Sequence, residues 1–464
     1  MKLRFSICCS VLLLFTMLPY SGTAQDTLRI DLSEFIERGL ELSGQVAYER
    51  TAIDLADNRV NVARAQRILP RVDFSSQHGV IPGVVSKDER NLPPGQWYLD
   101  PNLENDWEDW AIFTRAEINA IQPLFSWGAI GNAIQAAQAG ARAVQFQFSA
   151  VKAEAEVQLL ELYYSYLLSV EITRVLEEAT DAINQFERRL EEMIEDADPT
   201  LKESDIFKFE ILKSEFKIRV IEAHEGLYQV ERLWNYLLKA DQGTVYLPKE
   251  QFLEQIPYHV RDFPFYQQMA LQNRPELRAA EAGRDALRSS REAVRAQQFP
   301  LIFLGITGSY ANTPNRPRQT NPFIINSTNY ASAGIGFGIR QNLNFSTIRT
   351  NLQRADIEYR RVNELENALQ DGIMLELNNA YREAVVAESR VNQSRESLTI
   401  ARNWVRNEQL NYDIGFGDVE DLLDALQKEL EIRFELNQYI FELNKKIAEL
   451  LKTSGLPVRS SFEN

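Results

Sequence analysis

The sequence predicts a mainly α protein with a small β part, in which long antiparallel coiled-coil hairpins and four strands recur in two successive copies of one plan. Three observations predict this: an internal repeat, two helical stretches far longer than a globular domain uses, and runs of strict apolar/polar alternation.

The repeat sets the organisation. Ala63-Arg64-Ala65-Gln66-Arg67-Ile68-Leu69-Pro70 returns as Ala293-Val294-Arg295-Ala296-Gln297-Gln298-Phe299-Pro300, each time closing a helix-like stretch and opening an alternating one. Gln122-Pro123-Leu124-Phe125, followed by Asn132-Ala133-Ile134-Gln135-Ala136, is echoed at an offset of 219 by Gln341-Asn342-Leu343-Asn344, followed by Asn351-Leu352-Gln353-Arg354-Ala355. A first repeat over 25–262 and a second over 263–464 follow, each reading as helix, two strands, very long helix, break and returning helix.

The long helices are expected at about 132–195 and 348–411, rich in Ala, Glu, Gln, Leu and Arg and free of proline. At 1.5 Å per residue each would reach about 95 Å. Their charge density excludes a membrane span, which leaves coiled coil. Asp196-Ala197-Asp198-Pro199-Thr200 and Gly415-Phe416-Gly417-Asp418 interrupt them, because proline lacks the donor a helix needs and glycine tolerates positive φ. Returning helices at about 203–239 and 419–452 complete two hairpins, spanning about 129–239 and 346–452.

Strands are expected at about 71–80, 112–125, 301–311 and 329–345. In the last, Ala331, Ala333, Ile335, Phe337 and Ile339 interleave with Ser332, Gly334, Gly336, Gly338 and Arg340; in the second, Ala116, Ile118 and Ala120 interleave with Arg115, Glu117 and Asn119. Four strands of roughly 10 residues, with no fifth to complete a sandwich, suit a membrane barrel with lipid outside and water inside. Four cannot close, and an open edge cannot sit in lipid. Three chains supplying 12 strands would satisfy both demands. The proline-bearing connections, about 81–110 and 312–329, read as outward loops. Trp107, Trp110, Trp127 and Tyr330, at strand ends, fit either a membrane interface or ordinary core packing.

Composition narrows the setting. Lys2 and Arg4, the apolar run Phe5 to Leu18 and the small-residue stretch ending at Ala24 read as an export signal over 1–24, since a spanning helix needs about 20 apolar residues. Cys8 and Cys9 lie inside it, so no thiol or disulfide is expected after cleavage. Removing Lys2 and Arg4 from 50 basic residues leaves 48 against 66 acidic ones, a balance that makes nucleic acid a poor partner. His78, His224 and His259 stand in three separate segments without ligand spacing. No phosphate loop or nucleophile elbow is present; the Gly334-Ile335-Gly336-Phe337-Gly338 run lies inside an alternating strand and opens no helix. No cofactor, metal site or enzymatic activity is expected.

Tyr412-Asp413-Ile414-Gly415-Phe416-Gly417-Asp418-Val419-Glu420-Asp421-Leu422-Leu423-Asp424-Ala425 closely follows the pattern that TolC-type outer-membrane efflux proteins carry at their second helical turn. With Ala270-Leu271-Gln272-Asn273-Arg274-Pro275-Glu276-Leu277, Gln-Pro-Leu-Phe at 122–125 and the duplicated order, the chain resembles that family over essentially its whole length. The resemblance implies a homotrimer in the outer membrane: a 12-stranded barrel, an α-barrel tunnel of 12 helices extending through the periplasm, and a belt from Asp241 to Phe265 and Gly455 to Asn464. It implies partnership with a periplasmic adaptor and an inner-membrane transporter in efflux or type I secretion.

The same resemblance places Asp421 and Asp424 at an acidic periplasmic constriction, on one helix face by their i, i+3 spacing. Tyr412 falls on a tip latch, and Gly415, Gly417, Asp198 and Pro199 fall on the turns. Gly417 stands where a latching arginine would be expected, and the first turn is acidic and proline-bearing, so a looser or differently braced entrance is expected. A Gly417→Arg change would test that bracing. The competing reading is a non-conducting periplasmic coiled-coil tether, which would have no use for the four alternating strands.

Overall fold

A computed structural model describes residues 26–68, 70–86, 102–196, 201–241, 243–318, 323, 327–414 and 417–462. The expected export signal, Cys8, Cys9, Asp198, Pro199 and Gly415 lie outside the described residues. The chain divides into two compact units. One holds 1–47, 151–273 and 373–464; the other holds 48–150 and 274–372.

In chain order the elements are β1 (Asp26–Ile30), α1 (Leu32–Leu42), α2 (Gly44–Ile68), β2 (Arg71–Ser86), β3 (Leu103–Phe125), α3 (Ala129–Glu195), α4 (Glu203–Leu237) and β4 (Thr244–Pro248). Then come α5 (Phe263–Asn273), α6 (Pro275–Ala296), β5 (Leu301–Asn312), β6 (Tyr330–Arg340), α7 (Phe345–Asp413), α8 (Val419–Thr453) and α9 (Val458–Phe462). The long helices α3 and α7 have 67 and 69 residues, and the returning helices α4 and α8 have 35 each.

The unit containing the helical turns is built on a core of aromatic and aliphatic side chains. Trp234 of α4, fully buried, stacks on Phe35 of α1 at 4.2 Å and packs against Tyr163 and Tyr166 of α3. Ile440, Leu443, Ile447 and Leu451 of α8 close the cluster at 3, 4 and 4 residue steps, the stripe that turns one helix face inward. Buried Asn444 breaks that stripe for a reason: its carbonyl accepts from the Ile256 amide at 3.1 Å and its amide donates to the Glu254 carbonyl at 2.9 Å, fixing the irregular segment before α5. Charged rungs run along the same helices, with Glu154–Lys452, Glu161–Lys445 and Glu178–Arg433 joining α3 to α8. The first two rungs are seven residues apart on both helices and run in opposite directions, as antiparallel neighbours require.

The expectation of four strands and no more needs correction. β1 and β4 form a separate parallel pair, Asp26 opposite Thr244 through Ile30 opposite Pro248, inside the helical unit. The remaining four form one antiparallel sheet ordered β2-β3-β5-β6. Its first two strands, 16 and 23 residues long, exceed the ten or so read from the sequence. Pairing continues past a bulge at Pro82/Gly83 to Ser86 opposite Leu103, so part of the expected loop over 81–110 is strand. β6 ends at Arg340, short of the expected 345, and α7 begins at Phe345.

Candidate functional site: a two-faced sheet and a braced helical tip

The sheet has one apolar and one polar face, because alternate side chains leave a strand on opposite sides. Register places Val72, Phe74 and Val80 of β2, Ile112, Ile118 and, past a bulge, Phe125 of β3, Ile302, Ile306 and Tyr310 of β5 and Ala331, Ala333, Ile335, Phe337 and Ile339 of β6 on one side. Nearly all of them are exposed. The other side carries Asp73, Gln77, Arg115, Glu117, Asn119, Thr307, Ser309, Ser332 and Arg340. The glycine-rich β6 fits this polar side: a side chain at Gly338 would collide with the Phe303 ring, over which the Arg340 guanidinium sits at 5.1 Å.

The apolar residues form a belt whose level shifts across the strands, by two residues at each of the β2/β3 and β3/β5 steps and not at all between β5 and β6. The belt centres on Ser76 in β2, Ile118 in β3, Ile306 in β5 and Ile335 in β6. Following the ladder from Ile335 through Ile306 and Ala120 leads to Val72, four residues short of Ser76. Four residues at about 3.4 Å each, across three strand gaps of about 4.8 Å, correspond to strands tilted about 45° to the belt. Membrane barrels tilt their strands by about 35–45°.

Aromatic rings lie at both ends of the belt. Trp107 and Trp110 pair at 5.9 Å, with the Trp110 indole donating to the Trp107 carbonyl. At the helix end Trp127, held at φ 52°, stacks on Phe299 and donates to the Pro300 carbonyl at 2.8 Å. These three tryptophans are 46–66 % exposed, so the core-packing alternative does not apply to them.

The helical turns form the second region. Asp418 caps α8 by accepting the Glu420 amide at 3.2 Å. At α4 buried Asp205 accepts the Lys202 amide and the Ser204 hydroxyl. Phe209, Leu190, Val419 and Leu423 make an apolar cluster across the two hairpins, with Tyr412 against it. The Tyr412 hydroxyl donates to the Met193 sulfur at 2.8 Å. Around the cluster lie ion pairs between hairpins: Lys202–Asp418 at 2.6 Å, Lys208–Glu420, and Arg189–Asp413 at 4.0 Å. The Lys202 ammonium and the Glu420 amide hold the Asp418 carboxyl below its usual range.

Asp421 and Asp424 both lie exposed on the first turns of α8, beside the buried Leu422, Leu423 and Ala425. Among the described residues neither forms an ion pair, unlike Asp418 and Glu420 of the same turns. Acidic groups at a helix N-terminus are favoured by the exposed amides there. Gly417 is required for space. A Cβ on it would lie 2.6 Å from the Tyr412 nitrogen and 2.9 Å from the Asn411 carbonyl carbon, while its own amide closes the helix by donating to the Asn411 carbonyl at 2.9 Å. A Gly417→Arg change would therefore rebuild the turn, and is unsuitable as the probe of bracing that the sequence suggested. Sequence reasoning missed Met193, Lys202, Lys208 and Arg189. The signal for Met193 was present, since Tyr412 follows it by the repeat offset of 219.

Such a sheet and such hairpins make up a fold that the chain shares with solved outer-membrane channels. Residues 267–455 match the family model described as outer membrane efflux protein, so by sequence the second repeat carries that family's pattern. The channel CusC superimposes with a TM-score of 0.72 at 15% identity, over 93% of this chain and 94% of its own. The open-state MtrE channel of Neisseria gonorrhoeae gives 0.69 at 14% identity, over 92% and 89%. VceC of Vibrio cholerae gives 0.68 at 15% identity, over 92% and 96%. No curated protein matches the sequence.

Proposed function

We propose that this chain is one protomer of a trimeric outer-membrane exit duct that serves efflux or type I secretion and catalyses no reaction. The observation that carries the proposal is the tilted apolar belt. Its level drifts across the ladder by the amount a membrane barrel requires, and a sheet half-buried on a soluble core has no reason to keep such a level. A four-stranded sheet cannot enclose water by itself, so three copies supply the 12 strands, with the polar face lining the passage. An exposed apolar stripe on α4, through Phe207, Ile211, Ile218, Ile221 and Tyr228, supports assembly in the helical part as well.

In this reading the helical turns form the periplasmic entrance. Asp421 and Asp424, exposed and without an ion pair among the described residues, become two acidic rings under threefold symmetry, favouring cations and repelling anions. Tyr412 and Gly417, with Asp198, Pro199 and Gly415 of the turns, shape and latch the entrance. A periplasmic adaptor joins the duct to an inner-membrane transporter, which supplies the energy.

Planar-bilayer conductance of the detergent-extracted oligomer tests the reading. A cation-selective pore is expected for the native protein, with weaker selectivity for Asp421→Asn/Asp424→Asn. A folded protein that is washed from membranes by carbonate and never conducts would favour the tether instead.

A further inference from the structure

β2 and β6 are the outer strands of the four-stranded sheet, and each leaves one edge unpaired among the described residues. We propose that β6 of one protomer pairs with β2 of the next copy in a single register, with Ile335 opposite His78 of the partner subunit and Phe337 opposite Ser76 of the partner subunit. The inference rests on the trimeric-duct reading and adds the alignment of its seam.

Three constraints fix that alignment. Each pairing inside the sheet is antiparallel, so β6 runs opposite to β2 and the closing pair is antiparallel too. Outward residues carry even numbers on β2 and odd numbers on β6, so a seam that keeps the apolar face continuous pairs even with odd; a slip of one residue would turn every side chain over. The third constraint is level. The belt drifts four residues over the three internal steps, two at β2/β3, two at β3/β5 and none at β5/β6, an average of about 1.3 residues per step. Carried one step further, that drift sets Ile335 opposite a point just above residue 77 of the next copy, and the nearest position of even number is His78.

A separate observation favours the same pairing. His78 is a polar residue at mid-level of the apolar face, joined to the Ser76 hydroxyl at 2.8 Å through Nε2 and to the Thr114 hydroxyl at 3.1 Å through Nδ1. This short hydrogen-bonded chain is exposed in a single protomer. Bringing Ile335 and Phe337 beside it covers the polar atoms with apolar side chains at the level where lipid would otherwise meet them.

Paired cysteines in a Cys8→Ser/Cys9→Ser background test the register. Ser76→Cys/Phe337→Cys and, independently, His78→Cys/Ile335→Cys are treated with a short bifunctional thiol reagent in outer-membrane vesicles. Each is expected to yield a covalent three-chain band, because directly opposed Cβ atoms lie about 4.5–5.5 Å apart and diagonal neighbours about 7–8 Å. Ser76→Cys/Ile335→Cys reports a slip by two residues, and stronger linkage there than in both proposed pairs overturns the register. Native mass of the unlinked sample is measured in parallel. A trimer without the proposed links overturns the alignment alone, whereas a monomer overturns the duct reading with it.

Discussion

The Tyr412 hydroxyl and the Met193 sulfur, 2.8 Å apart, belong to residues 219 apart, the same offset that relates the two copies of the pattern read from the sequence. Places near the ends of α3 and α7 that the sequence offset matches therefore touch, through different side chains. Removing the hydroxyl with Tyr412→Phe leaves the ring in the apolar cluster and loses one weak hydrogen bond, at most about 1 kcal/mol. Met193→Ala also removes packing and should loosen the turns more. Single-channel recordings should show the open fraction rising in the order native, Tyr412→Phe, Met193→Ala.

Gly417 tolerates no side chain without backbone movement. Gly417→Ala should destabilise the second turn by about 1–3 kcal/mol, as overpacking does elsewhere. Limited proteolysis is the appropriate readout, with cleavage near 410–420 accelerated while the β-sheet stays protected.

Acid should loosen the helical part before the sheet. Arg433 holds the Glu178 carboxyl below its ordinary 4.5, Lys452 does the same for Glu154, and Lys446 for Glu383. Lys202 holds Asp418 below 3.8. A depressed folded pKa contributes stability that is complete above the ordinary value and lost as pH falls through the folded one. Thermal unfolding followed by helical circular dichroism should thus be flat from about pH 8 to 5 and fall below 4.5. Glu178→Gln with Arg433→Met should flatten part of that fall.

Charge on the two faces of β5 should have opposite outcomes. Ile306→Arg places a cation in the middle of the apolar belt and should weaken bilayer insertion by about 2–4 kcal/mol. Thr307→Arg, one residue on and on the polar side, should insert normally and alter ion selectivity. Urea titration of vesicle-refolded protein separates the two, and equal losses would remove the assignment of the faces.

Much of the fold was legible because its signals are long. A proline-free stretch the length of α3 admits one structure, and the alternation of Ala331, Ala333, Ile335, Phe337 and Ile339 fixes a face. The short parallel pair β1–β4 was not legible, since five residues at each end of a 218-residue separation carry no periodicity of their own. The extension of β2 and β3 was hidden by prolines, which a bulge at Pro82/Gly83 accommodates. At the turns, Tyr412, Asp421 and Asp424 stood out through a motif. Lys202, Lys208 and Arg189 did not, because ion pairs between distant helices depend on three-dimensional proximity that spacing along the chain does not encode.

The two open edges of the sheet also bear on how the protein comes into being. A four-stranded sheet has no way to finish its own wall, so in the proposed trimeric duct each newly exported copy must wait for two others with its apolar belt uncovered. The waiting time depends on how many copies share the compartment at once, which makes the yield of finished ducts a steep function of export rate. Slow expression should leave this protein vulnerable to periplasmic proteases, while a short burst of synthesis should protect it.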